Sequence, residues 1–171
     1  MAEKAVTTMI ENKEIVLYNS LKAIFLHIDN HEKALFSEFD LTLPRFYILL
    51  HLSNHPGINY IELSDLMLCT KGNTTRIVQS MQKDGLVQRV NHPADGRSYQ
   101  LFLTVKGKAT LERVLPQYNH LVDSLMSQFD DNKISYYTEV SKHIESTLAP
   151  KNGSSRTGAP LNAANRYGRM R

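Results

Sequence analysis

Apolar residues recur at spacings of three and four over residues 15–36, where Leu17, Leu21, Ile24, Phe25, Ile28 and Leu35 share one side of an amphipathic helix. Thr42 and Pro44 open a second helix, RFYILLHL (45–52), which the turn NHPG (54–57) stops. Asn59, followed three residues later by Glu62, has the form of a capping box for a short third helix, YIELSDLML (60–68). A fourth helix is expected from about Gly72 to Asp84, ended by Gly85. The period then changes from helical to alternating. LVQRV (86–90) and YQLFLTV (99–105) read as strands, with Tyr99, Leu101 and Leu103 on one face and Gln100, Phe102 and Thr104 on the other. Two more helices follow, over 107–129 and 134–148, the first kinked or broken at Pro116. The order is four helices, a hairpin and two long helices, without an internal repeat.

The segment between the strands, NHPADGRSYQ (91–100), is longer than a hairpin needs merely to reverse the chain. Pro93 and the Asp95-Gly96 corner shape a projecting tip, and Arg97 stands directly after that corner. Upstream, the short third helix, a tight link and the fourth helix have the layout of a helix-turn-helix, whose second helix enters the major groove of DNA. On that second helix Ile77, Val78 and Met81 form an apolar side closed by Leu86, while Lys71, Asn73, Arg76, Gln79 and Lys83 stay polar. Arginine pairs well with guanine, and asparagine or glutamine with adenine.

Charge sharpens this reading. The net charge is +3, but residues 71–108 carry 7 basic and 2 acidic groups and residues 151–171 carry 5 and 0, whereas residues 1–70 carry 5 and 9 and residues 109–150 carry 3 and 6. Two basic blocks in an otherwise acidic chain suit a polyanion. The tail from Pro150 is rich in Gly, Ser, Asn and Ala and is expected to be disordered, either a basic arm or an appendage without a role. The chain has no apolar run long enough to span a membrane and no secretory signal at its start, so the expected compartment is the cytoplasm.

Other chemistry is weakly represented. The lone Cys69 excludes an intramolecular disulfide and reads as a small buried thiol, with redox sensing as the alternative. His27 with His31, and His51 with His55, have a spacing that could hold a metal, but satisfied histidines are the better reading and no metal or cofactor is expected. Phe25, Phe36, Phe39, Phe46 and Tyr47 could line an apolar effector pocket, although aromatics at helical spacing are more often core. No motif of an enzyme is present: no G-x-S-x-G, P-loop, dinucleotide fingerprint or H-E-x-x-H.

Residues 62–111, ELSDLMLCTKGNTTRIVQSMQKDGLVQRVNHPADGRSYQLFLTVKGKATL, resemble the DNA-binding core of the MarR family of bacterial winged-helix regulators. The resemblance rests on Thr75-Arg76, the DGLVQR that ends the fourth helix, Asp95 and Arg97 at the tip, and the LTVKG after the second strand. It implies a mainly α fold with a small β-hairpin wing, a winged helix-turn-helix flanked by a helical dimerisation region from the N- and C-terminal helices. The corresponding divisions are residues 1–38 for the dimerisation helix, 39–108 for the DNA-binding domain, 109–149 for the C-terminal dimerisation helices and 150–171 for the tail. It further implies a homodimer on a pseudo-palindromic operator in double-stranded DNA, a repressor rather than an activator, released by a small aromatic or apolar effector. Lys71, Asn73, Thr74, Thr75, Arg76, Gln79, Lys83 and Arg89 are the expected DNA contacts, with further phosphate contacts from Lys106 and Lys108. In the family the wing aspartate supports an arginine that enters the minor groove, which here gives Asp95 and Arg97. The commonest tip has a second arginine where this chain has Gly96, so one phosphate contact is in doubt. The alternatives are a winged helix that docks another protein without DNA, or a metal- or redox-sensing form of the regulator. Independently of the resemblance, the apolar stripes of residues 10–36 and 111–148 exceed what a small winged-helix core would cover, and a second chain would bury them.

Overall fold

The computed structural model describes residues 12–149, apart from residues 93 and 94 and the side chains of residues 92–98. Six helices and one hairpin follow each other in the order α1 (Lys13–Ser37), α2 (Leu43–Asn54), α3 (Tyr60–Leu66), α4 (Lys71–Lys83), β1 (Val87–His92), β2 (Asp95–Leu103), α5 (Val105–Met126) and α6 (Asp131–Leu148). Among the described residues no helix is long and apolar enough to cross a membrane.

Each helix start is fixed by a local side chain or by proline. Asn12 accepts from the backbone N–H groups of Glu14 and Ile15 at the head of α1, and Pro44 occupies the first turn of α2, where a missing N–H costs nothing. At α3 the capping box is complete: Asn59 Oδ1 accepts from the N–H of Glu62 (3.0 Å), and Glu62 Oε2 accepts from the N–H of Asn59 (2.8 Å). Thr70 caps α4 by accepting from the N–H of Asn73, and Asp130 caps α6 by accepting from the N–H of Lys133.

The core lies under the helix-turn-helix. Phe36 of α1 stacks on Phe46 of α2 with ring centroids 4.3 Å apart, and Phe46 meets Tyr118 of α5 at 4.8 Å. Leu49 and Leu52 of α2, Leu63 of α3, Val78 and Met81 of α4, Leu101 of β2 and Val114 of α5 complete it. The α2–α3 connection pairs with β2 through two backbone bonds, Gly57 N–H to Leu101 O (2.9 Å) and Leu101 N–H to Ile58 O (3.0 Å). This anchors the root of the hairpin to the helices.

Several expectations need correction. The strands run into the segment read as a long tip: β1 reaches His92, β2 starts at Asp95, and the antiparallel ladder extends from Val87–Leu103 to His92–Asp95. A solvated two-stranded ribbon needs backbone pairing rather than apolar side chains, so Asn, His and Asp can occupy it. The extra length is taken up by a register shift between the Asn91–Tyr99 and His92–Asp95 pairs, of the kind a β-bulge produces. Val105 belongs to α5 rather than to the strand, because Thr104 caps that helix. α5 also runs through Pro116 without a break; the proline is exposed and sits on the solvent side of a helix otherwise held by core contacts. α3 stops at Leu66, two residues early. Leu68 then takes a left-handed conformation (φ 50°) that turns the chain toward α4. The α1 stripe at Leu17, Ile24, Phe25 and Ile28 is exposed, in line with the expectation that the apolar surface exceeds what this chain's core covers.

Candidate nucleic-acid interface

The surface to be tested is the polar side of α4 and the adjoining hairpin. Thr74, Val78 and Met81, at successive helical spacings, turn inward and pin α4 to the core. Lys71, Asn73, Arg76, Gln79 and Lys83 are left on the outside, all exposed. Arg76 Nη2 donates to Asn73 Oδ1 (3.4 Å), and Asn73 Nδ2 lies 3.9 Å from Cys69 Sγ, so two prospective base-reading side chains hold each other.

Thr74 is the misplaced member of the predicted set. It is 1% exposed, and among the described residues its Oγ1 has no hydrogen-bond partner. Its spacing to Val78 and Met81 was the available signal, and a periodic reading of the apolar side would have included it. Thr75 is half-buried, and its hydroxyl donates to the carbonyl of Lys71 (2.7 Å). Cys69 is half-buried rather than buried.

The end of α4 is tied down from three directions. Gly85 (φ 72°) supplies the left-handed residue, with Gly85 N–H bonded to Gln82 O (3.0 Å) and Leu86 N–H to Met81 O (2.9 Å), the paired bonds of a Schellman motif. Thr104 Oγ1 donates to Gly85 O (2.6 Å) while accepting from Gly107 N–H (3.0 Å), joining that turn to the head of α5. Asp84 is bonded to Arg45 of α2, and Lys106 Nζ donates to Asp84 O (2.8 Å). Lys106 was expected at a DNA phosphate. Its ammonium also sits at the negative end of α4. Lys108 lies on the other side of the hairpin root, at a cavity of about 450 Å³ bounded by Leu52, Pro56, Gln88, Phe102, Leu111 and Glu112.

On the hairpin, Arg89 is exposed and its guanidinium lies 4.0 Å from the centre of the Tyr99 ring. Tyr60, the first residue of α3, lies beside Arg89; burial raises the phenol above its usual range and the neighbouring arginine opposes that rise. Neither tyrosine was picked out by sequence reasoning, which had no signal bringing residues 60, 89 and 99 together. Asp95, Gly96 and Arg97 all belong to β2, so Asp95-Gly96 is strand rather than the expected corner; the side chains of Asp95 and Arg97 lie outside the described residues.

The expected aromatic effector pocket is not formed as such. Phe36 and Phe46 are stacked core, Phe39 is partly buried against it, and Phe25 is 65% exposed. Sequence reasoning also missed a polar group beneath α1: Tyr47 Oη donates to Glu32 Oε1 (2.7 Å) and lies 3.4 Å from Tyr118 Oη. Burial raises the Glu32 carboxyl above its ordinary value, opposed by the bond from Tyr47. One turn along α2, His51 is 2% exposed, both ring nitrogens are without a partner among the described residues, and burial lowers its pKa to about 4. Of the other histidines weighed as ligands, His27, His31 and His55 are exposed. Among the described residues no three His, Cys, Asp or Glu side chains gather into a metal-binding group.

A helix-turn-helix with an exposed polar second helix, backed by a β-hairpin, defines a winged helix-turn-helix protein. The MarR family model matches residues 41–99. An uncharacterised HTH-type transcriptional regulator from Bacillus anthracis is 30% identical over 119 residues, covering 66% of this chain and 78% of that protein. Among solved structures, a mutant MarR from E. coli complexed with operator DNA superposes with a TM-score of 0.71 at 22% identity, over 78% of this chain and 96% of that one. The transcriptional repressor CouR, bound to a 23-mer DNA duplex, superposes with a TM-score of 0.64 at 26% identity, over 73% of this chain and 89% of that one. The chain belongs to the MarR family of transcriptional regulators.

Proposed function

We propose that the protein is a cytoplasmic, homodimeric repressor that binds a pseudo-palindromic operator and is released by a small aromatic or apolar effector. The observation that carries the reading is the outward face of α4: Lys71, Asn73, Arg76 and Gln79 exposed together on a helix whose position is fixed by Val78 and Met81 inside and by the Asp84–Gly85 end. Asn73, Arg76 and Gln79 would meet base edges, with Thr75 beside them. Lys71, Lys83 and Arg89 would meet phosphates, and Arg97, supported by Asp95, would enter the minor groove.

Residues 39–108 then form the DNA-binding unit, and residues 1–38 and 109–149 pair two chains. Support for the pairing is the apolar surface left open on α1 and on α5–α6, including Phe25, Met126, Phe129 and Val140, together with the absence of any buried residue along α6. An 18-residue helix with no buried side chain gains little from its own chain and needs a second one to cover it. Two recognition helices held by one dimer fit half-sites about one helical turn apart, and a bound dimer excludes polymerase. The cavity at the hairpin root is within the size range of small-molecule sites and adjoins both the wing and α5, so an occupant there could alter the spacing of the two wings.

Fluorescence anisotropy on an operator recovered by in vitro selection tests the reading. Arg76→Ala and Arg97→Ala should each cost about 1–3 kcal/mol in binding. A protein that binds neither selected nor random duplex, or whose affinity does not fall with added salt, would refute it.

A further inference from the structure

Major and minor grooves that lie side by side on a duplex are separated by one sugar-phosphate backbone. A protein that places α4 in one groove and a wing tip in the next must therefore meet that backbone along the stem of the hairpin. The stem residue at that point is Arg89. It pairs with Leu101 across the ladder, and Tyr99 lies one pair further toward the tip on the same face. The face is the one that carries buried Leu101 and Leu103, so it is turned toward the helices rather than away from them.

Arg89 does not hang free there. Its guanidinium is held over the Tyr99 ring at 4.0 Å, and Tyr60 lies close enough for the arginine's charge to act on its phenol, while the residue remains exposed. Among the described residues no carboxylate comes within salt-bridge distance of it, in contrast to Arg45, whose partner is Asp84. Aromatic stacking leaves the in-plane N–H donors of a guanidinium available. A planar fork kept in place, exposed and without an anion suits a phosphate, because little side-chain freedom remains to be lost on binding.

We propose that Tyr60, Arg89 and Tyr99 form a preformed clamp for one DNA phosphate, placed between the recognition helix and the wing. Arg89 makes the contact, and the two tyrosines are positioning residues. The inference rests on the DNA-binding reading above and adds to it the two residues that hold the arginine in place.

The test is anisotropy over a series of salt concentrations, on random-sequence duplex and on the selected operator. Arg89→Ala should weaken binding about tenfold or more on both DNAs alike, since a phosphate contact reads no sequence. The slope of log K against log salt should fall by about two for a dimer with two clamps. Arg89→Lys should keep the slope yet bind more weakly, because the charge stays while the stacked fork is lost. Tyr99→Phe should bind like the parent and Tyr99→Leu several-fold more weakly, and Tyr60→Phe should weaken binding with an unchanged slope. Thermal unfolding of each variant monitors the fold.

An Arg89→Ala protein with parental affinity and slope would overturn the clamp while leaving the DNA-binding reading intact. Parental binding by both Tyr60→Phe and Tyr99→Leu would overturn the positioning. A parent that binds no duplex would remove the clamp and the DNA-binding reading together.

Discussion

Replacing His51 with leucine should flatten a specific part of the protein's pH–stability profile. His51 is 2% exposed on α2, neither ring nitrogen has a partner among the described residues, and burial, with a smaller contribution from His55, lowers its pKa from 6.5 to about 4. A depressed histidine favours the fold above its unfolded pKa. Its contribution declines as pH falls from 6.5 toward 4, because the unfolded chain accepts the proton first. Working from those two values, the loss is roughly 1.4 kcal/mol by about pH 5.5 and approaches about 3 kcal/mol near pH 4. Glu32 acts in an overlapping window with the opposite sign. Its raised pKa gives stability that is present below 4.5 and lost as pH rises through the folded value. The wild-type profile therefore mixes the two, whereas the difference between wild type and His51→Leu isolates the histidine. Denaturant unfolding at fixed protein concentration, at about pH 7.5 and about pH 5.5, should show the variant's advantage growing by roughly 1.4 kcal/mol on acidification. An advantage should already exist at the higher pH, on the order of 1–3 kcal/mol, since leucine leaves no buried nitrogen unsatisfied. A difference that stays constant across that range would show that His51 is hydrated or protonated in the fold, and would refute the reasoning.

Three further outcomes follow from particular contacts. Thr74→Val replaces a buried, unpartnered hydroxyl with a methyl group of similar shape and should raise stability by about 1 kcal/mol while leaving DNA affinity unchanged, as measured by thermal unfolding and anisotropy; a loss of affinity would return Thr74 to the interface. Gly107→Ala would put a Cβ 2.0 Å from the Leu86 carbonyl oxygen, a backbone atom that no rotamer change can move. It should destabilise the protein by about 3 kcal/mol or more and weaken operator binding by shifting α5 away from the end of α4. Leu68→Gly removes an exposed left-handed leucine (φ 50°) and should be neutral to stabilising by about 1 kcal/mol in thermal unfolding.

What the sequence disclosed was local periodicity and local capping. Asn59–Glu62, Gly85 and the alternation from Tyr99 to Leu103 are decided by neighbours within a few residues, and each appears in the structure in the expected role. The misreadings concern contacts made across the chain. The strand ends depend on backbone pairing, which the low β-propensity of Asn91 and His92 concealed. Lys106, exposed in a basic block as expected, also meets the Asp84 carbonyl, a partner 22 residues away that no local pattern announces. Thr74 was assigned by its place beside Thr75 and Arg76, although its spacing to Val78 and Met81 already placed it inside. The pairing of Glu32 with Tyr47 and Tyr118 joins three helices far apart in sequence, and no local pattern announces it.

These long-range contacts bear on how the recognition helix could be controlled. α4 cannot shift along its axis without breaking the Thr104 bond to Gly85, the Lys106 bond to Asp84 and the Arg45–Asp84 pair, which tie its end to α5 and α2. α2 is in turn joined to α1 and α5 by the Tyr47 group and the Phe36–Phe46–Tyr118 stack. The helix-turn-helix thus moves with the long helices rather than against them. If those helices pair two chains, the distance between the recognition helices is set by the pairing, and the effector proposed above would act by changing the angle between relatively rigid halves. The hairpin is the exception. Among the described residues its ladder is joined by cross-strand bonds and by the packing of Arg89 on Tyr99 at its stem. Wing position can therefore respond to what touches that stem, either a DNA phosphate on the helix side or an occupant of the cavity beside Phe102 on the other.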